Sequence, residues 1–242
     1  MSAQSRPAFY ALDRGGWRDY VTLLHLPYTA WHLSYVAIGC ALAPELHADR
    51  LLAALAAFFL ALGVAAHALD ELRGRPLGTA IPRRVLIGLA AASLVGAVVI
   101  GVAAAVAWTP WLLAFVAVGG FLVPAYNLEL FGGRFHSDLW FGIGWGAFPV
   151  LTGYFVTAER LEPEAILAAI AALFLSLAQR HLSTQVRTVR RRVRTVEGTI
   201  VHDDGREESI TPATLLRTPE LALRALTLAV ISLAAALLLT HT

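Results

Sequence analysis

The sequence contains no lysine, so all 19 of its basic side chains are arginines. It has one cysteine, Cys40, which excludes a disulfide within the chain. Charged residues make up only 15% of its 242 residues, whereas about a quarter is usual for a soluble domain. The chain therefore lacks the charge that a fully water-exposed surface requires.

Apolar residues take the place of the missing charge: they make up 57% of the chain, and the mean hydropathy is +0.64. A transmembrane helix needs about 20 apolar residues, and in lipid only helices and closed barrels satisfy the backbone. The runs of that kind are Tyr20–Pro44, Leu51–Leu69, Val85–Ala107, Trp111–Tyr126, Leu139–Val156, Ala165–Leu182 and Leu221–Leu239. They predict an all-α integral membrane protein, a single domain over residues 1–242 with about seven transmembrane helices.

The arginines predict the orientation. With the N-terminus in the cytoplasm, only Arg50 and Arg160 lie outside, and the other 17 of the 19 arginines lie inside. The positive-inside rule therefore predicts a multi-pass protein of the cell membrane with a cytoplasmic N-terminus and an external C-terminus. The same rule accounts for the pI near 9, so nucleic acid is not an expected partner.

The longest loop, residues 183–219, is predicted to be cytoplasmic. It begins as a basic extension of the preceding helix, Ser183–Arg194, which we interpret as a contact for anionic lipid or a topology anchor. Two β-prone runs flank Asp203-Asp204-Gly205 and predict a β-hairpin.

The second predicted span ends in a cluster of ionisable residues. His67, Asp70 and Glu71 are spaced at i, i+3 and i+4, so they share one face of a helix. An imidazole and two carboxylates can hold part of the shell of a divalent cation. The alternative is a polar helix terminus whose carboxylates pair with Arg73 and Arg75.

This cluster resembles the end of helix 2 in the UbiA superfamily of intramembrane prenyltransferases, which reads Asn-Asp-x-x-Asp-x-x-x-Asp and is followed by Arg-Pro-Leu. His67 stands at the first acidic position, Asp70 at the middle one and Gly74 at the last, and Arg75-Pro76-Leu77 follows. Together with the two segments described next, this cluster matches the order and spacing of the family's motifs over Tyr20–Arg194.

Two further segments carry the same resemblance. Tyr126-Asn127 leads to Phe141–Tyr154, which is similar to the family's glycine-rich fifth helix with Pro-Val-Leu and Gly-Tyr. In the first span, Leu24-His25-Leu26-Pro27 resembles the family's helix 1 entry.

The resemblance implies a UbiA-like helical bundle that acts on an isoprenyl diphosphate or a related isoprenoid lipid, by prenyl transfer or cyclisation. It implies catalytic roles for His67, Asp70 and Glu71, with Mg²⁺ held by Asp70 and Glu71. The implied substrate-binding residues are Arg75, Tyr126, Asn127, Tyr154, Arg180 and Arg187. His25 and His32, at helical spacing in the first span, would line the cavity or serve as hydrogen-bonded packing residues.

The family's second acidic motif has no counterpart here, because residues 179–190 contain no carboxylate. Arg180 and Arg187 lie seven residues apart on one helix face and can bind phosphate where the family binds metal; alternatively they only mark the cytoplasmic end of a span. The alternative function is a catalytically inactive UbiA-fold protein. It would bind an isoprenoid, quinone or pigment, or serve in a membrane complex with a partner subunit or as a homo-oligomer.

Overall fold

The computed structural model describes residues 6–241, which form eight helices and one short hairpin. The helices are α1 (Trp17–Leu23), α2 (Leu26–Leu42), α3 (Ala48–Leu72), α4 (Arg83–Ala107), α5 (Leu112–Asn127), α6 (Asp138–Ala158), α7 (Pro163–Arg192) and α8 (Pro212–Leu239). Strands β1 (Thr199–Val201) and β2 (Glu207–Ser209) pair antiparallel between α7 and α8, around the Asp203–Gly205 turn. A 3₁₀ turn, Phe131–Gly133, lies between α5 and α6.

Five of these helices, α3, α4, α6, α7 and α8, are long and apolar enough to cross a membrane. The other two predicted spans are present as shorter helices, α5 with 16 residues and α2 with 17. The structure is accordingly an all-α bundle of the kind that membrane proteins form, because a helix satisfies its own backbone in lipid.

The prediction of one continuous first span, Tyr20–Pro44, is wrong. Helix α1 ends at Leu23 and α2 begins at Leu26, because His25 between them adopts a left-handed backbone with φ of 46°. Pro27 in the first turn of α2 has no N–H with which to continue a hydrogen-bond ladder from α1. The break puts His25 at the entry of α2.

Helices α2 to α8 alternate in direction, so the bundle has two ends. At one end, Arg50 near the start of α3 donates to the carbonyl of Val156 near the end of α6, at 3.0 Å. Nε2 of His241, after α8, lies 2.8 Å from the carbonyl oxygen of Ala41 near the end of α2. We call this the far end.

At the opposite end, Arg180 of α7 pairs with Asp138 at the start of α6. Arg73, after α3, donates to the carbonyl of Leu128, after α5, at 2.7 Å. We call this the cavity end, because the polar cavity described below lies there.

Helix α2 runs through the middle of the bundle and packs closely on α6. A Cβ added to Gly39 would lie 2.2 Å from the carbonyl oxygen of Val150, and one added to Gly153 would lie 2.3 Å from that of Val36. Only glycine permits so close an approach of two helix backbones. This crossing holds α2 and α6 in a fixed register between the two ends.

Candidate functional site

A polar cavity of about 610 Å³ lies at the cavity end, between α2, α3, α5, α6, α7 and the segment that precedes α1. Its lining is strongly cationic, with five arginines against two carboxylates. The arginines are Arg73, Arg180, Arg187, Arg191 and Arg192, and the carboxylates are Asp70 and Glu129. Four histidines, His25, His32, His67 and His136, also line it.

Helix α7 supplies most of the positive charge. Arg180, Arg187 and Arg191 are spaced seven and four residues apart, which places them on one helix face. Arg180 is engaged within the protein: it pairs with Asp138, hydrogen bonds to the hydroxyl of Tyr126, and lies 5.2 Å from the ring centre of Phe141.

Arg187 and Arg191 have weaker partners. Arg187 donates to the hydroxyl of Thr184 at 2.8 Å, and Arg191 donates to the carbonyl of Pro7 at 3.1 Å. Within residues 6–241, neither guanidinium forms an ion pair with a carboxylate. Both side chains are partly buried.

The histidines are held in defined orientations. Helix α3 widens into a π-helical segment, Phe59–Ala66, immediately before His67, and such segments are common at functional sites. The His67 ring stacks on His25, with centroids 4.1 Å apart and planes 12° from parallel. Nδ1 of His67 donates to the carbonyl of Gly63 at 3.1 Å. In the neutral ring, Nε2 of His67 is therefore a hydrogen-bond acceptor.

His32 follows the same pattern deeper in the bundle. Its Nδ1 donates to the carbonyl of Trp145 at 2.8 Å, which leaves Nε2 as the acceptor in the neutral ring. Trp145 itself belongs to a second π-helical segment, Gly142–Ala147, within α6. The cavity thus combines guanidinium donors on α7 with imidazole acceptors on α2 and α3.

The segment before α1 closes one side of the cavity. The Tyr10 hydroxyl lies 2.9 Å from Nδ1 of His25, and burial raises the pKa of that hydroxyl well above its ordinary value. The hydroxyl is therefore protonated at neutral pH and available to donate to the imidazole. Phe9 lies beneath the guanidinium of Arg224, 5.0 Å from it, and this contact ties the segment to α8.

A second, apolar cavity of about 110 Å³ lies next to the polar one, among α3, α4, α5 and α6. Side chains such as Leu62, Phe115 and Phe148 line it. Trp145 lines both cavities; its ring stacks on Phe141 with planes 10° from parallel. A molecule with an anionic group and an apolar chain would meet both environments across this one indole.

Most of the residues that the sequence singled out come together in the polar cavity. Those that line it are His25, His32, His67, Asp70, Tyr126, Asn127, Arg180 and Arg187. They come from four helices, α2 with its entry residue His25, α3, α5 and α7, so their meeting results from the fold rather than from their proximity in sequence.

Glu71 does not line the polar cavity. Its fully buried carboxylate accepts hydrogen bonds from the N–H of Leu77 at 2.9 Å, and from the N–H and hydroxyl of Thr79 at 2.9 and 2.8 Å. Helix α3 ends at Leu72 and the chain folds back over the side of the helix on which Glu71 lies. This carboxylate therefore organises the loop, while Asp70 faces the cavity.

Arg75 belongs to the same loop rather than to the cavity lining. Its backbone is left-handed, with φ of 53°. Its guanidinium donates to the carbonyls of Thr79 and Ile81, at 3.2 and 2.6 Å. These two carbonyls occupy one nitrogen of its guanidinium.

Tyr154 lies at the far end. It is sixteen residues beyond the start of α6, which corresponds to about 24 Å along a helix. Its buried hydroxyl donates to the Glu164 carboxylate at 2.6 Å. The structure thus separates Tyr154 from the other predicted substrate-binding residues.

The lining residues do not fit the Mg²⁺ that the resemblance implies on Asp70 and Glu71. Among residues 6–241, no group of three or more His, Cys, Asp or Glu side chains is placed to hold a metal ion. Glu71 is occupied by the loop, and Glu129 pairs with Arg73 at 2.7 Å. Asp70 alone remains, whereas Mg²⁺ prefers an octahedral set of oxygen ligands.

Several lining residues escaped the sequence prediction, among them Tyr10, Trp145, Gln179 and Arg191. Arg191 carried a usable signal, because it lies four residues beyond Arg187 on the same face of α7. Tyr10 carried none, since its place depends on how the N-terminal segment folds back onto the bundle.

Comparison with protein-family models, with curated proteins and with solved structures gives no match for this chain. What it does must therefore be inferred from the geometry of the two cavities.

Proposed function

We propose that this protein is a UbiA-like, multi-pass protein of the cell membrane that acts on an isoprenyl diphosphate or a related isoprenoid lipid, by prenyl transfer or cyclisation. The observation that carries the proposal is the junction of a cationic cavity and an apolar cavity at Trp145. Such a junction suits an amphiphile whose anionic head group and apolar chain lie on opposite sides of the indole.

The cationic side suits a diphosphate. Guanidinium groups bind phosphate oxygens through paired N–H donors, and Arg187 and Arg191 offer such donors on one wall. The apolar side suits the prenyl chain, because burying each CH₂ group contributes about 0.8 kcal/mol.

The same arrangement suits the chemistry of an allylic diphosphate. When the bond between the prenyl carbon and the diphosphate oxygen breaks, the bonding electrons leave with the diphosphate, and fixed cations stabilise the charge that develops. The allylic cation would meet the ring of Trp145, which attracts positive charge, because the guanidinium of Arg180 already lies over Tyr126 and Phe141. The acceptor nucleophile forms a bond to the allylic carbon, or a double bond of the chain attacks that carbon and closes a ring; the resulting cation then loses a proton, which Nε2 of His67 can accept.

The proposed topology has seven spans, with the N-terminus and the loop over residues 183–219 in the cytoplasm and the C-terminus outside. The arginine distribution supports it, because Arg50 and Arg160 both belong to the far end, while the arginines of α7 lie at the cavity end. The positive-inside rule then assigns the cavity end to the cytoplasm, where soluble diphosphates are available.

A second candidate is a binding protein without catalysis, alone or as a subunit of a membrane complex. The observation that favours it is that, among residues 6–241, Asp70 is the one carboxylate of the cavity lining without an ion pair, where the family has two acidic motifs. Such a protein would bind the same isoprenoid lipid, or a quinone or pigment of similar shape, and would leave it unchanged.

The test is an assay of the purified full-length chain in lipid nanodiscs with isoprenyl diphosphates of several chain lengths, measuring both binding and release of diphosphate. We expect binding that Arg187→Ala weakens and that Arg217→Ala, an exposed arginine of α8 outside the cavity, leaves unchanged. Binding with diphosphate release supports the enzyme, and binding without release supports the second candidate. Failure of every isoprenyl diphosphate to bind, with and without Mg²⁺, would refute the proposal.

A further inference from the structure

We infer that Arg187 and Arg191 form a phosphate site that binds its ligand directly, without a bridging divalent metal. The inference rests on the proposed function for the identity of the ligand, and it deepens that function by naming how the head group is held. Three observations lead to it.

The first observation is a pair of neighbouring positive charges that form no ion pair. Arg187 and Arg191 lie four residues apart on α7, where like charges repel each other. Both are partly buried, and the described part of the chain gives neither of them a carboxylate within ion-pair distance. Since burying a charge without an ion pair is unfavourable, an anion with more than one negative charge would be stabilised between these two guanidinium groups.

The second observation is that neighbouring arginines on the same helix are neutralised. Arg180 pairs with Asp138, and Arg190 pairs with Glu220 at 2.6 Å. Helix α7 thus carries two arginines with a carboxylate partner, Arg180 and Arg190, and two that line the cavity with only a hydroxyl or a carbonyl as partner, Arg187 and Arg191. A merely topological role for Arg187 and Arg191, as charges at the end of a span, does not require that they turn toward a cavity.

The third observation is the composition of the opposite wall. Magnesium sites for phosphates use carboxylates to hold the ion against the phosphate oxygens. Asp70 is the one carboxylate of the cavity lining that the described residues leave without an ion pair. In a site built on arginines, Asp70 has the opposite effect on binding, because its negative charge repels the diphosphate instead of recruiting a cation to it.

These roles make opposite predictions for one substitution. If a metal bridged the ligand, Asp70→Asn would remove its protein anchor and abolish binding. If the arginines hold the ligand, Asp70→Asn removes a repulsive charge and leaves the affinity unchanged or raises it. Arg187→Gln and Arg191→Gln should each weaken binding about 10- to 100-fold, the range for loss of one charged hydrogen bond.

The experiment measures the affinity of the full chain in nanodiscs for an isoprenyl thiodiphosphate, a slowly reacting analogue, in EDTA and in excess Mg²⁺. We expect equal affinity in both solutions, weaker binding by Arg187→Gln and Arg191→Gln, and no change in Arg217→Gln. Thermal unfolding of each variant without ligand shows whether it is folded, and Arg187→Lys, which keeps the charge but loses the fork, should retain part of the affinity.

Binding that requires Mg²⁺ and disappears in Asp70→Asn would overturn the inference and leave the proposed function intact. Absence of binding in both solutions would refute both. Inorganic pyrophosphate serves as a competitor to distinguish the two sources of the anion. Weaker competition than by the thiodiphosphate lipid supports a lipid head group, whereas equal competition would keep the arginine site but contradict the isoprenoid ligand.

Discussion

The contacts that join helices at the far end pair charged or polar side chains with carboxylates, whereas the cavity end combines such pairs with charged side chains that have none. At the far end, Arg50 reaches the Glu159 carboxylate at 2.9 Å, and the Tyr154 hydroxyl reaches Glu164 at 2.6 Å. At the cavity end, Arg187 and Asp70 face a shared cavity, and the described residues give neither an ion pair. Paired groups stabilise a fold, whereas charged groups left without partners in a membrane protein are typical of a binding site.

The largest expected effect compares two adjacent carboxylates at the cavity end, Glu71, which holds the loop, and Asp70, which faces the cavity. Glu71→Ala should destabilise the protein by about 3–5 kcal/mol, because it leaves two buried N–H groups and one hydroxyl without an acceptor. Asp70→Ala, one residue earlier, should leave the free energy of unfolding nearly unchanged. Urea unfolding in mild detergent measures both, and equal losses for the two variants would contradict the division between loop carboxylate and cavity carboxylate.

A second substitution tests the packing that holds the two ends in register. Gly39→Ala would put a Cβ 2.2 Å from the carbonyl oxygen of Val150, so α2 and α6 must separate. We expect a loss of about 1–3 kcal/mol, typical of overpacking, together with weaker ligand binding.

The matched control for this substitution is Gly88→Ala in α4, where an added Cβ meets no atom within 4 Å. It should be neutral or stabilise the helix by about 0.5–1 kcal/mol. Equal effects of the two alanines on thermal unfolding would show that the α2–α6 crossing does not limit stability.

A third test applies the same change at both ends. Arg50→Ala removes hydrogen bonds to two carbonyls and to the Glu159 carboxylate, and should lower stability by about 1–2 kcal/mol. Arg187→Ala removes a repulsive neighbour of Arg191, and should change the stability of the ligand-free protein by less than about 0.5 kcal/mol. A larger loss for Arg187→Ala than for Arg50→Ala, measured without ligand, would reverse the comparison.

The sequence predicted most of the helices well, because the length of an apolar run along the chain is enough to indicate a helix that can cross a membrane. The predicted run Leu51–Leu69 lies within α3, and Val85–Ala107 lies within α4, since hydrophobic length decides both. The break at His25 was not predictable in this way. It depends on a left-handed backbone at His25, inside a run that is apolar on both sides, so hydrophobic length gives no sign of it and Pro27 two residues later is the one local signal.

Helical spacing predicted which site residues share a face of one helix, but not which residues the loops bring to the site. Spacing correctly grouped His67 with Asp70, but it could not show which side of α3 the following loop would cover, and that loop decides the role of Glu71. Tyr154 was assigned through a resemblance of motifs, whereas its depth in the bundle follows from its position near the end of α6. Contacts that form where the chain reverses direction, such as the hydrogen bond between Tyr10 and His25, produce no periodic pattern in the sequence.

The smallest expected effect compares two tyrosines, one at each end. Tyr154→Phe loses one hydrogen bond to Glu164 and should cost about 1 kcal/mol of stability, with ligand affinity unchanged, because the hydroxyl lies at the far end. Tyr126→Phe loses the hydrogen bond between its hydroxyl and Arg180 and should weaken ligand binding, because the guanidinium is then held by the Asp138 carboxylate alone and is less well fixed in the cavity. Isothermal titration with the thiodiphosphate analogue, paired with thermal unfolding, separates the two. If Tyr154→Phe weakened binding as much as Tyr126→Phe, the far end would take part in the site, and the ligand would have to extend through the whole bundle.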